Sequence, residues 1–244
     1  MDKLGDQRGS TSAITRCTDE LELTHPLPRT GLTETSREPG LRDQTTHSSR
    51  FFNRIGAQGW HKSEFFTYTW KYPALRRWLV AQLLPREKLI LSIGCGSGEI
   101  ERDISKRKRT IVGVDISHRM LAIAARRGVK NLVQTDATSL PFPRGCLNLV
   151  MFMESAGYFE LNVVLREVKR VLSKSGRLIM TTYPPHHNSD SLCRNVSLSQ
   201  VARAVRGAGF KILDHQMLAV NRLGVAKVAS EDQSVILYTV AQKP

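Results

Sequence analysis

The 244-residue chain is short of acids, of cysteines and of long apolar runs, and each shortage removes a class of protein. No apolar stretch approaches the ~20 residues that a membrane-spanning helix needs, so no transmembrane segment is expected. The opening Met1-Asp-Lys-Leu-Gly-Asp6 carries charge where a secretory signal would place its apolar core. The four cysteines, Cys17, Cys95, Cys146 and Cys193, lie far apart and form no C-x-x-C pair. A reduced, cytoplasmic compartment is the simplest expectation. No His/Cys/Asp/Glu set has metal-ligand spacing, so no metal is expected.

The shortage of acid is uneven. The chain has 36 Lys/Arg against 22 Asp/Glu, for a net charge of +14. Residues 1–50 hold 7 of those bases and 8 of the acids, so the remainder of the chain carries 29 and 14. The first fifty residues also lack any hydrophobic period of 2 or 3.6. They are expected to be a disordered N-terminal segment, dispensable for ligand binding, because they bury too little to offset their ordering entropy.

Aromatic residues are scarce outside one place. Nine of the sixteen fall between Phe51 and Trp78. Residues 51–85 therefore read as an aromatic-rich helical extension. Pro73 opens a helix over Ala74–Leu84, with Leu75, Trp78, Leu79 and Leu83 on one face, and Pro85 ends it. Such a helix can pack on a sheet edge, and the aromatics around it can form a lid over a cleft.

Residues 86–244 alternate strand and helix patterns. Strands are expected at Leu89–Ile93, Thr110–Val114, Asn131–Thr135, Leu147–Met153, Arg177–Tyr183, Phe210–Val220 and Ser234–Gln242. Helices are expected at Gly98–Lys106, Ser117–Arg127, Leu161–Leu172 and Ser197–Ala208. This order predicts an α/β fold, a doubly wound and mostly parallel seven-stranded sheet. The last two strands lack a helix-length gap and should form an antiparallel pair at one edge.

The most specific signal is Lys88-Leu-Ile-Leu-Ser-Ile-Gly-Cys-Gly-Ser-Gly98, followed by Ile111-Val-Gly-Val-Asp115. A buried strand enters a turn with glycine at Gly94, Gly96 and Gly98, which lets a ligand lie against the backbone. Asp115, at the end of the next strand, stands where a carboxylate can take both ribose hydroxyls. A nucleoside site is implied. The spacing G-x-G-x-G differs from the dinucleotide pattern G-x-G-x-x-G, and Glu99 would oppose a pyrophosphate.

This segment resembles the class I S-adenosylmethionine-dependent methyltransferases, in their small-molecule, methyltransferase-11-like branch. The likeness runs on through Asn131-Leu-Val-Gln-Thr-Asp136-Ala137 and Leu165–Ile179. It implies a Rossmann-like methyltransferase fold with S-adenosyl-L-methionine as cofactor. The implied cofactor-binding residues are Ser92, Gly94, Cys95, Gly96, Gly98, Asp115, Ile116, Asp136, Ala137 and Met153. Ser92 departs from the family, which commonly has an acid there to orient the methionine end of the cofactor. Serine can hydrogen-bond but cannot neutralise an ammonium.

Catalytic candidates must come from the loops after strands four and five. They are Glu154, His186 and His187. Each is open to a bland reading, as a cap or as an exposed polar loop. The Pro184-Pro185 pair is similar to a motif of amino-group methyltransferases, but it follows strand five instead of strand four and does not carry over.

The cations Lys106, Arg107, Lys108, Arg109, Arg126, Arg127, Lys130, Lys174 and Arg177 precede strands. They belong on the rim opposite the ligand cleft, where they complement helix C-termini or dock an acidic protein or anionic surface. No appended RNA-binding module is evident, which weighs against nucleic acid. The leading expectation is an enzyme that moves a methyl group directly to a small organic molecule. The alternatives are an RNA or protein methyltransferase and a noncatalytic cofactor-binding scaffold.

Overall fold

A computed structural model of the chain describes residues 39–59, 72–104, 109–182, 193, 196–220, 224–228 and 236–244. Eight strands form one sheet: β1 Leu89–Ile93, β2 Thr110–Asp115, β3 Asn131–Gln134, β4 Leu147–Met153, β5 Leu172–Thr182, β6 Lys211–Val220, β7 Val225–Val228 and β8 Ile236–Gln242. Their order across the sheet is β3-β2-β1-β4-β5-β8-β6-β7. The first five run parallel to one another. β8 lies antiparallel to both β5 and β6, and β7 is antiparallel to β6.

The expected parallel sheet is present, with one strand more than the seven expected. Two details of its edge differ. The two C-terminal strands do pair antiparallel, but β8 inserts between β5 and β6. The outermost position falls to the short β7, for which no strand is expected. Strand five also starts earlier than Arg177, at Leu172, directly after the preceding helix.

Six helices accompany the sheet among the described residues: α1 Pro39–Gln58, α2 Tyr72–Gln82, α3 Glu101–Ile104, α4 His118–Arg126, α5 Leu161–Val171 and α6 Leu198–Gly207. A single turn of 3₁₀ helix covers Ala156–Tyr158. Helix α3 is shorter at its start than the expected Gly98–Lys106. Local chemistry fixes several ends. The Ser117 side chain accepts from the Met120 N–H at the start of α4. Ser197 and Gln200 form a reciprocal capping box at α6.

Strand side chains alternate between two cores, as a period of two requires. Leu89, Leu91 and Ile93 face one side with Val164, Leu165 and Val168 of α5 and Val201 and Val205 of α6. Ile90 faces the other with Leu75 and Leu79 of α2 and Ile104 of α3. Trp78 packs edge-on to Tyr238 of β8, with ring centroids 4.5 Å apart. Helix α2 is therefore a structural cover of the sheet as well as a neighbour of the cleft.

The expectation of disorder through residue 50 is corrected by α1, which begins at Pro39. Its anchor lies near its end. Phe51, Phe52 and Ile55 pack on Met120 and Ile123 of α4. Asn53 Oδ1 accepts from Ser117 Oγ at 2.8 Å and from the Arg119 N–H at 3.3 Å. The residues that hold the helix down thus come mostly after residue 50, in the segment already marked by its aromatics. Residues 1–38 lie outside the described residues, as do Trp60, Phe65, Phe66, Tyr68 and Trp70 of the expected lid.

One rim cation is misplaced by the sequence reading. Arg177 is buried, with its Nη1 3.0 Å from Glu87 Oε1 and 3.3 Å from the Gln82 carbonyl. The other Glu87 oxygen accepts from the Leu84 N–H at 2.7 Å. This pair ties the end of α2 to the start of the parallel run of β5. Removing one partner strands a buried charge. Arg177→Met should lower unfolding free energy by ~3–5 kcal/mol in denaturant titrations, and replacing Glu87 as well should recover most of the loss. Equal stability of wild type and the single variant would show that the pair holds nothing in place.

Candidate functional site

The strand order reverses at β1, whose neighbours β2 and β4 lead to opposite halves of the sheet. Ligands of open α/β sheets lie beyond the carboxyl ends of the strands at such a point. A cavity of about 190 Å³ opens there. Its lining includes Gly94, Cys95 and Gly96 after β1, Asp115 and Ile116 after β2, and Asp136 and Ala137 after β3. Met153 and Glu154 enter from β4, Tyr72 from α2, and Thr45, Ser48 and Phe52 from α1. The turn, ribose-side, third-strand and Met153 positions expected from sequence thus meet in one place. Ser92 and Gly98 lie just outside the lining.

Gly98 faces away from the cavity. It has φ +73°, and a Cβ there would stand 2.7 Å from Val129 Cγ2 and 3.1 Å from Ala124 Cβ. It is glycine so that the turn can pack under α4. Gly94 has φ +68°, and its Cβ would sit 2.5 Å from Ser155 Cβ. Ser155 Oγ donates to the Ile93 carbonyl at 2.6 Å and pins the two strand ends together.

The acids of the site are held by backbone donors. Asp115 Oδ2 accepts from the Gly96 N–H and Oδ1 from the Ser117 N–H, each at 2.9 Å. Each oxygen keeps a second lone pair for a ligand. Burial pushes this carboxyl above its usual range, and the two N–H bonds oppose the rise. Asp136 Oδ1 accepts from the Thr138 N–H and hydroxyl, each at 2.8 Å, and Oδ2 from Thr45 Oγ1 at 3.2 Å. Through Thr45, α1 closes directly over the third-strand end. Phe52 also meets Tyr158 edge-on at 5.1 Å, so this aromatic of the segment lines one side of the cavity.

Two charges behave differently from expectation. Glu99, expected to repel a pyrophosphate, is ion-paired with Arg127, which also donates to the Ser97 carbonyl at 3.3 Å. Its charge is therefore partly offset, and Arg127 braces the glycine turn instead of lying free on the rim. The second is Glu101, which sequence reasoning missed. It is 2% exposed, lines the cavity, and accepts from Ser92 Oγ at 2.6 Å. Burial pushes its carboxyl up to about 7, with the Ser92 bond opposing the rise.

Among the catalytic candidates, Glu154 is buried at the cavity wall with φ +61°, a left-handed conformation uncommon for a residue with a Cβ. Its backbone N–H donates to Thr181 Oγ1 at 2.9 Å. The Tyr72 phenol stands close to the Glu154 side chain and is held well above its ordinary pKa by burial first and by the Glu154 charge next. Tyr72 was visible in sequence only as one aromatic of nine. His186 and His187 lie outside the described residues, as do Lys106, Arg107 and Lys108 of the rim. No group of three or more His, Cys, Asp or Glu could hold a metal among the described residues.

Comparison with known proteins agrees with this geometry. Residues 91–180 match the family model described as "Methyltransferase domain". A demethylmenaquinone methyltransferase of Thermus thermophilus is 34% identical over 106 residues, 40% of this chain and 48% of that protein. A malonyl-[acyl-carrier protein] O-methyltransferase of Legionella pneumophila is 33% identical over 111 residues, 43% and 38% of the two chains. The matches thus span less than half the length of these curated relatives. Among solved structures, a S-adenosylmethionine-dependent methyltransferase of Thermotoga maritima superposes with a TM-score of 0.65 at 18% identity, covering 80% of this chain and 99% of that one. The magnesium protoporphyrin IX methyltransferase of Synechocystis, solved with bound S-adenosylmethionine, gives 0.61 at 16% identity over 87% and 100%. Residues 91–180 thus match a methyltransferase domain, and the sheet, glycine turn and strand-end acids around them have the fold of the S-adenosylmethionine-dependent methyltransferases.

Proposed function

We propose that this protein transfers a methyl group from S-adenosylmethionine to a small organic acceptor. The observation that carries the reading is one cavity in which the glycine turn, Asp115, Asp136 and Glu154 meet. The residues fit the cofactor: Asp115 has lone pairs free for ribose hydroxyls, Ile116 and Ala137 offer apolar surface beside Asp136 for a purine, and Glu101 is a buried acid near the turn. When bound, the cofactor supplies an activated methyl on sulfur. What remains for the protein is alignment of the acceptor and management of its proton.

Glu154 and Tyr72 occupy the wall suited to that task. The Glu154 carboxylate can accept a hydrogen bond or proton from an acceptor hydroxyl or amine. Tyr72, kept neutral by burial, lies beside that carboxylate. Phe52, Tyr158 and Phe159 add apolar and aromatic surface to the same lining, which suits an uncharged organic body more than a nucleic-acid backbone. The methyltransferase relatives that name small or carrier-bound acceptors support this choice.

A second surface supports an anionic partner on the far rim. Arg144, Arg166 and Lys169 border a cleft with Lys243 and form no ion pair among the described residues. The Lys243 ammonium is held below its ordinary pKa by partial burial and then by Arg144 and Lys169. Arg170 in the same cleft is committed to Glu167. This cluster forms a cleft of its own, distinct from the cavity.

Four measurements follow. Calorimetry should detect S-adenosylmethionine or its demethylated product and little NAD or NADP; preferential dinucleotide binding would sink the reading. Asp115→Ala should weaken cofactor binding ~30- to 1000-fold, from two charge-assisted hydrogen bonds worth ~2–4 kcal/mol together. With methyl-labelled cofactor and a metabolite extract, Glu154→Gln should cut incorporation ~100-fold or more while cofactor affinity stays within about threefold. Label appearing in an RNA fraction instead would favour the nucleic-acid alternative. Binding to anionic vesicles or polyanions should fall with salt, and fall less steeply once Arg144, Arg166 and Lys169 are replaced by Ser.

A further inference from the structure

The position within β1 where the family resemblance implies an acid is Ser92, and on sequence alone that leaves an amino-acid tail without a counter-ion. The structure supplies the missing charge from another element. Ser92 Oγ, 1% exposed, donates to Glu101 Oε1 at 2.6 Å, so the carboxylate from α3 lies directly against the serine. Glu101 is itself 2% exposed and opens onto the cavity. We propose that Glu101, positioned by Ser92, is the counter-ion for the α-ammonium group of a nucleoside ligand bearing an amino-acid tail. The inference rests on the cofactor reading above and assigns its charged end.

The surroundings support a ligand, not a protein, as the source of the missing cation. A buried carboxylate is costly unless paired. Among the other buried acids, Glu87 has Arg177 at 3.0 Å and Asp136 accepts from Thr138 and Thr45, whereas none of the described cations forms an ion pair with Glu101. The groups coupled to it are acids and weak acids, while the Arg76 guanidinium of α2 donates to the Glu99 carbonyl at 3.0 Å. Asp115 at the end of β2 acts on Glu101 and raises its pKa. Cys95 in the turn is pushed upward by burial first and then by Glu101, and Tyr72 on α2 by burial, then by Glu154, with Glu99 and Glu101 adding least. Glu99, one turn away, is already paired with Arg127. A cation entering this end of the cavity would find an acid whose hydrogen-bond geometry is set and whose charge is unspent.

Proton balance gives a signature. Below pH ~7 the empty site holds Glu101 largely protonated. Binding an ammonium then ionises the carboxyl and releases that proton to solvent, so affinity is weak below the folded pKa and rises as pH passes through it. Between pH 6 and 7.5, affinity for S-adenosylhomocysteine should rise about five- to tenfold. That window stays below the ~7.7–8.0 range of an α-amino group. Asp115 also titrates upward and faces the cavity, so a control must isolate the tail. 5′-Methylthioadenosine carries the same adenosine and no ammonium.

The test is calorimetry of both nucleosides on the full chain, as wild type and as Glu101→Gln, with thermal melting to establish that the variant folds. The expected result is a rising pH profile and proton release for S-adenosylhomocysteine alone. Glu101→Gln should lose at least tenfold in its affinity at pH 7.5 and flatten its profile, with 5′-methylthioadenosine unchanged within about twofold. The double exchange Ser92→Asp with Glu101→Ser should restore binding, because it returns the acid to the strand. Wild-type profiles that are identical for the two nucleosides would overturn the role of Glu101, with no need for any variant. So would an unchanged affinity in folded Glu101→Gln. Wild type that binds neither nucleoside would instead overturn the cofactor reading, and this inference with it.

Discussion

The structure depends on keeping the turn after β1 both tightly curved and open on one side. Its curvature is held from below, where Gly94 lies against Ser155 and Gly98 against Val129 at distances no Cβ would tolerate. It is held from the side by the Asp115 carboxylate, which takes the Gly96 N–H, and by Arg127, which takes the Ser97 carbonyl. Each brace uses a group that also belongs to the cavity or to α4. The fold therefore fixes the ligand-facing backbone as a by-product of packing its first helices, and the sheet reversal at β1 leaves the space above it empty of protein.

Buried charge is handled in two ways. At the foot of the sheet, Glu87 and Arg177 satisfy each other and join α2 to β5. At the mouth, Glu101 and Asp115 are held only by a hydroxyl and by backbone N–H groups, and burial raises both pKa values. The first arrangement is closed and structural. The second retains acceptor capacity at the cost of some stability, the pattern expected where binding groups are kept ready for a ligand. The uncommon backbone of Glu154, beside neutral Tyr72, belongs to the same end of the molecule.

Much of this was legible in the chain. Alternating apolar strands and helices gave the parallel sheet, and the spacing from Gly94 to Asp115 marked the cavity. What escaped has identifiable causes. β7 is four residues long and could not announce itself by period. Helix α1 is polar along most of its length and is held by Phe51, Phe52, Ile55 and a side-chain bond from Asn53 to α4, contacts that exist only once α4 is in place. Arg177 looked like a rim cation because sequence shows charge and not the acid waiting across the fold. Glu101 escaped for the complementary reason: the search for the missing acid was confined to the strand, while the group that replaces it comes from the next helix, nine residues on.

The most direct test is a crystal structure of the full chain with S-adenosylhomocysteine. The account predicts ribose hydroxyls on Asp115, adenine beside Ile116, Asp136 and Ala137, and the sulfur turned toward Glu154 and Tyr72. A nucleoside bound elsewhere, or a dinucleotide with its pyrophosphate against Gly96 in this cavity, would contradict it.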